Sequence, residues 1–107
     1  MIYKVKARII EDKLGEFFTK LTDGTIEGQE PDGREIVASM QRAVLTDPGV
    51  AEWYQTCFCS PPLLHERTTQ YDHYFTDFAT EEADDYGEVE GESLWAYMQT
   101  RHRGSKD

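Results

Sequence analysis

The most informative part of the chain is Cys57-Phe58-Cys59-Ser60-Pro61-Pro62-Leu63-Leu64-His65-Glu66-Arg67. It separates two runs, 50–59 and 68–78, that are rich in the β-branched and aromatic residues suited to strands. If both are strands, the stretch is the tip of a long hairpin. Loops held out by a rigid pair of strands commonly carry binding and catalytic groups. This one gathers both cysteines, two of the four prolines and one of the three histidines.

On the first run Trp53, Cys57 and Cys59 share a face with Gln55. On the second, Tyr71, His73 and Phe75 share one face while Tyr74 and Phe78 share the other. Apolar groups on both sides predict a hairpin covered twice, by helices on one face and by the tail or a second copy on the other.

Upstream, residues 3–9 alternate cleanly. Tyr3, Val5, Ala7 and Ile9 point one way and Lys4, Lys6 and Arg8 the other, the pattern of a strand with one face on a core. Asp12 is placed to cap a helix in which Leu14, Phe17, Phe18 and Leu21 recur at helical spacing, and Asp23-Gly24 offers its stop. A connector with a turn at Pro31-Asp32-Gly33 follows. Ile36, Val37, Met40, Ala43 and Val44 then predict a second helix, with Asp32 and Glu35 in capping-box spacing. Thr46-Asp47-Pro48-Gly49 reads equally as a hairpin turn, which would make 35–45 a strand.

Residues 77–92 hold eight acidic side chains and no Lys or Arg, a run that is usually solvated. Leu94, Trp95, Met98 and Arg101 then lie along a short C-terminal helix, and 103–107 reads as a flexible tail. The chain is thus expected to be one α+β domain over 1–107. Its antiparallel sheet has three to four strands, with two helices on one face in a ferredoxin-like layout, and a short C-terminal helix. Layout of this kind carries no function.

Charge narrows the partners. A net charge of −10 opposes binding to the polyanionic backbone of a nucleic acid or to an anionic membrane surface. No apolar run approaches the roughly 18 residues of a membrane-spanning helix. The N-terminus lacks the apolar stretch of a signal peptide, and two cysteines make no disulfide framework, so a reducing cytoplasm is expected.

The chemistry-bearing candidates cluster around the loop: Cys57, Cys59, His65, Glu66, Arg67, Tyr71 and His73. Cys57, Cys59, His65 and His73 have the right donors for zinc, but on a strand the two cysteines stand about 6.6 Å apart, too wide for one tetrahedral ion. No metal or cofactor is expected. Histidine beside a carboxylate is the usual arrangement for base chemistry near neutral pH, which singles out His65 with Glu66 and Arg67. No catalytic residue can be named on that basis. Two functions are therefore expected in competition. One is a homodimeric interaction module using the second sheet face; the other is a small enzyme or ligand-binding domain with its site at 57–73. A buried polar pocket at the histidines would favour the second, and a broad apolar face the first.

Overall fold

The computed structural model describes residues 1–58 and 60–104, with side chains as far as Arg101. Cys59 and residues 105–107 of the expected tail lie outside the described residues. The sheet is antiparallel throughout and has five strands, one or two more than expected, in the order β4-β1-β3-β2-β5. These are β1 (Ile2–Ile9), β2 (Val44–Asp47), β3 (Val50–Thr56), β4 (Phe75–Ala83) and the two-residue β5 (Glu92–Ser93). The helices are α1 (Leu14–Thr22), α2 (Gly33–Arg42), α3 (residues 64–74) and α4 (Leu94–Gly104).

The alternation in β1 behaves as its sequence demands. Tyr3, Val5, Ala7 and Ile9 are buried beneath the helices, and Lys6 and Arg8 are exposed on the other side. Leu14, Phe17, Phe18 and Leu21 of α1 and Ile36 and Met40 of α2 complete one continuous core with Trp53, Leu94 and Met98. The choice between helix and strand at 35–45 resolves into both. α2 ends at Arg42, and only Val44–Asp47 goes on as a strand into the Pro48-Gly49 turn.

Capping differs from expectation at both helices. A 3-10 turn, Glu11–Lys13, precedes α1, and among the described residues no side chain caps either helix. Asp32 and Glu35, in capping-box positions, spend their carboxylates elsewhere, as described below.

The largest correction falls on 68–74, which is helical and not a strand. α3 consists of an α turn (Leu64–Glu66), a π-helical stretch (Arg67–Tyr71) and a second α turn (Asp72–Tyr74). Its threonine hydroxyls find partners within the helix by bonding back one turn. Thr68 Oγ1 donates to the Leu64 carbonyl at 2.8 Å and Thr69 Oγ1 to that of His65 at 2.7 Å. There is accordingly no 57–73 hairpin. Tyr71 and Tyr74 are buried in the core and face no second layer. Tyr74 stacks on Phe17 at 4.2 Å, and its hydroxyl donates to Glu16 at 2.8 Å while accepting from Lys20 at 3.1 Å. The opposite sheet face carries Lys4, Lys6, Arg8, Glu52 and Glu81, with Lys4 paired to Glu52 at 3.5 Å and Arg8 to Asp77 at 3.7 Å.

Two backbone positions aim the elements that flank the site. Leu63 adopts the left-handed region at φ 59°, which costs a non-glycine residue roughly 1–2 kcal/mol. Complete burial of its side chain, worth about 1.5–3 kcal/mol, offsets this. Gly33 opens α2 directly against the connector, where an added Cβ would run into the Ile26 carbonyl oxygen. Gly33→Ala should therefore destabilise the protein by about 1–3 kcal/mol, the scale of overpacking. Urea unfolding reads this directly, and a loss within about 0.5 kcal/mol, as at an ordinary surface site, would show that the packing there is loose.

Candidate functional site

Gln55 is the polar residue on the inward face of β3, and it is completely buried. An amide so placed must find partners, since each unsatisfied group costs about 1–3 kcal/mol. Its Oε1 accepts from Trp53 Nε1 at 2.9 Å and from the Tyr71 hydroxyl at 2.7 Å. With the oxygen taken by two donors, the amide's orientation is fixed. Its Nε2 is directed to Glu66 Oε2, 3.3 Å away. Cys57 Sγ lies 3.7 Å from the other carboxylate oxygen and donates to it. Hydrogen bonds thus run one way, from Trp53 and Tyr71 to Gln55 and from Gln55 and Cys57 to Glu66. Glu66 thus accepts from both Gln55 and Cys57.

The π stretch of α3 makes this convergence possible. Its wider turn, bonding i to i+5, brings residues five apart to one side of the helix. The amide of Asp72 accordingly donates to the Arg67 carbonyl, and Glu66 and Tyr71, five apart, both reach Gln55. Burial raises the Tyr71 hydroxyl well above the ordinary value near 10, with the charges of Glu66 and Glu35 adding to the effect. Burial and the bond to Glu16 raise Tyr74 likewise.

Glu66 is 2% exposed, yet it lines a cleft of about 490 Å³. The other described walls are Pro31, Asp32, Glu35, Thr56, Cys57 and Phe58. Asp32 accepts from Gln29 Nε2 at 2.8 Å through one oxygen and lies 2.6 Å from His65 Nδ1 through the other. Glu35 accepts from Arg42 Nη2 at 2.8 Å. Three carboxylates therefore border one cleft, and Phe58, 87% exposed, stands at its edge. A second cleft, of about 460 Å³, lies by the β2–β3 turn, but its carboxylates Glu11, Asp47 and Glu92 are all exposed.

Of the residues singled out by sequence, Cys57, Glu66 and Tyr71 come together in the network. His65 joins the cleft through Asp32. Arg67 and His73 are directed elsewhere: Arg67 pairs with Asp72 at 2.9 Å and covers the Phe78 ring, and His73 is exposed against Tyr74. Both were aligned with the site only by the assumption of an extended chain. Among the described residues no three His, Cys, Asp or Glu side chains converge as ligands for a metal ion. Asp32, Glu35, Gln55 and Thr56 were missed. The first two resemble helix caps, and the one available signal was a polar Gln55 on an otherwise apolar strand face.

The network sets two expectations. Gln55→Leu leaves two buried donors and a carboxylate without their shared partner, and should cost about 2–4 kcal/mol in urea unfolding. An effect below about 1 kcal/mol would mean that the network is not formed. The raised tyrosines give an alkaline signature. Their folded state prefers the neutral phenol, so that contribution is complete below the unfolded value near 10 and is lost as pH rises beyond it. Tyr71→Phe should flatten the fall in stability between pH 10 and 12, and an unchanged slope would contradict the assignment.

No family model, curated protein or solved structure matches the chain.

Proposed function

We propose that this chain is a small ligand-binding domain whose cleft takes a compact cation carrying an apolar or aromatic group. One observation carries the reading: Glu66, an almost wholly buried carboxylate, opens onto a cleft instead of being sealed in the core. Charged groups are rarely so buried, because their desolvation is costly. Asp32 and Glu35 add negative charge to the same walls, and the net charge of −10 draws cations to the surface. The exposed ring of Phe58 offers a face to the cation or to its apolar part. A reducing cytoplasmic setting, in which Cys57 stays a thiol donor to Glu66, suits this site. The β4-β1-β3-β2 order, with helices between β1 and β2 and between β3 and β4, supports the ferredoxin-like layout as its frame.

A second reading, acid–base catalysis in the same cleft, draws on the 2.6 Å pair between His65 Nδ1 and Asp32. With Nδ1 held by the carboxylate, Nε2 is left to accept a proton. Self-association is a separate proposal, and light scattering at micromolar concentration reads it directly. A second copy on the open sheet face would meet Lys4, Lys6, Arg8, Glu52 and Glu81 there.

Benzylammonium is a suitable probe, followed by amide chemical shifts, with phenylacetate as the anionic control. Saturable shifts should centre on Asp32, Glu35, Thr56, Cys57 and Phe58, and phenylacetate should produce none. Glu66→Gln should weaken benzylammonium by about tenfold or more, the scale of one charge-assisted hydrogen bond. Scattered shifts, or equal binding of the anion, would overturn the proposal.

A further inference from the structure

Residues 84–91 form neither helix nor strand, yet the topology fixes their path. They leave β4 at one edge of the sheet and enter β5 at the other, so they pass β1, β3 and β2. At about 4.8 Å between strands the traverse is about 19 Å. Eight residues reach at most about 28 Å. The segment therefore spans the sheet with about a third of its reach to spare.

One side chain fastens it. The Tyr86 ring stacks on Tyr54 with centroids 6.1 Å apart, and the Arg42 guanidinium lies 4.8 Å from its centre. Its hydroxyl accepts from Arg42 Nη2 at 3.2 Å and sits 2.8 Å from Thr56 Oγ1 and 3.5 Å from Glu35 Oε2. Gly87 makes the close crossing possible, since a Cβ there would stand 2.6 Å from the Tyr54 hydroxyl. Around this latch, Asp84, Asp85, Glu88 and Glu90 are exposed.

Two of the latch residues, Thr56 and Glu35, are also walls of the cleft. Arg42 links them, donating to Glu35, Ser39, Tyr86 and the Tyr54 carbonyl. Among the described residues the hydrogen bonds to Glu35 fall on Oε2, from Arg42, Ser39, the Thr56 amide and Tyr86, and none reaches Oε1. The latch thus holds one oxygen of a cleft carboxylate and leaves the other available.

We infer that residues 84–91 are a strap whose Tyr86 latch orients Glu35 for the cleft, so that strap docking and occupancy of the cleft favour each other. This rests on the reading of the cleft as a cation site. Thermodynamic reciprocity gives the coupling its form: if the docked strap strengthens binding by some factor, binding favours the docked strap by the same factor. Exposure and many like charges make the strap the kind of segment that opens locally while the core stays folded.

The test uses the full chain with Tyr86→Ala and with Tyr86→Phe, which keeps the ring and removes the hydroxyl. Near-UV circular dichroism checks the fold of each. Backbone order parameters at 85–88 should approach the rigid value of about 0.85 in the parent and fall below about 0.6 in Tyr86→Ala. Benzylammonium affinity should drop about fivefold in Tyr86→Ala, the lower end of measured couplings, and by less in Tyr86→Phe. Equal order parameters in parent and Tyr86→Ala would show that there is no latch. A mobile strap with undiminished affinity would show that latch and cleft are uncoupled. If the parent itself ignores benzylammonium, the cation reading fails, and the strap is judged on the Glu35 carboxyl ¹³C shift. Tyr86→Ala moves that shift if the latch orients Glu35, and an unmoved shift overturns the inference.

Discussion

The amide of Gln55, buried in the middle of β3, is the constraint on which the rest of the arrangement depends. A polar group at that depth demands partners, and Trp53, Tyr71 and Glu66 supply them. Two of those partners lie on α3, five residues apart, which a regular α-helix would not bring to one side. The π stretch does so. The helix in turn fixes where β4 begins, at Phe75, and that strand closes the sheet against β1. A single unsatisfied amide, worth only about 1–3 kcal/mol, is a sizeable share of the roughly 5–15 kcal/mol that holds a domain together.

The same network exports its polarity to the surface. Because Gln55 receives two donors on its oxygen, it presents a donor to Glu66, whose carboxyl group lines the cleft. Asp32 and Glu35 reinforce that sign. Each is held by its own partner, His65 or Arg42, and neither serves the helix end beside it. The first turn of α2 thus gives up capping energy, usually about 0.5–2 kcal/mol, to border the cleft. Departures of this kind from local preference are expected where structure serves a site.

Much of the frame was legible in the sequence. The alternation of residues 3–9, the spacing of Leu14, Phe17, Phe18 and Leu21, and the helical rhythm of Ile36 and Met40 each name their burial correctly. Residues 68–74 misled because Thr68 and Thr69 favour strands in isolation. Their bonds to Leu64 and His65 exist only once a helix is present. That error carried Arg67 and His73 into the expected site, whereas the two-residue β5 went unseen because it closes the acidic run 77–92 that reads as solvated. Asp32 and Glu35 were visible but resembled caps, and nothing local distinguishes a capping carboxylate from one diverted to a cleft. Gln55 was the informative anomaly, since one polar residue on an apolar strand face requires a buried partner.

On the proposed reading the fold needs only the oxygen that Glu66 offers to Gln55, whereas its charge serves the cleft. The stability of Glu66→Gln in urea at neutral pH tests it most directly. The amide keeps an acceptor for Gln55 while removing the buried charge, so stability within about 0.5 kcal/mol of the parent, or above it, is expected. A loss of about 3 kcal/mol or more, the scale of breaking a buried charged pair, would instead make the charge a structural strut of the fold.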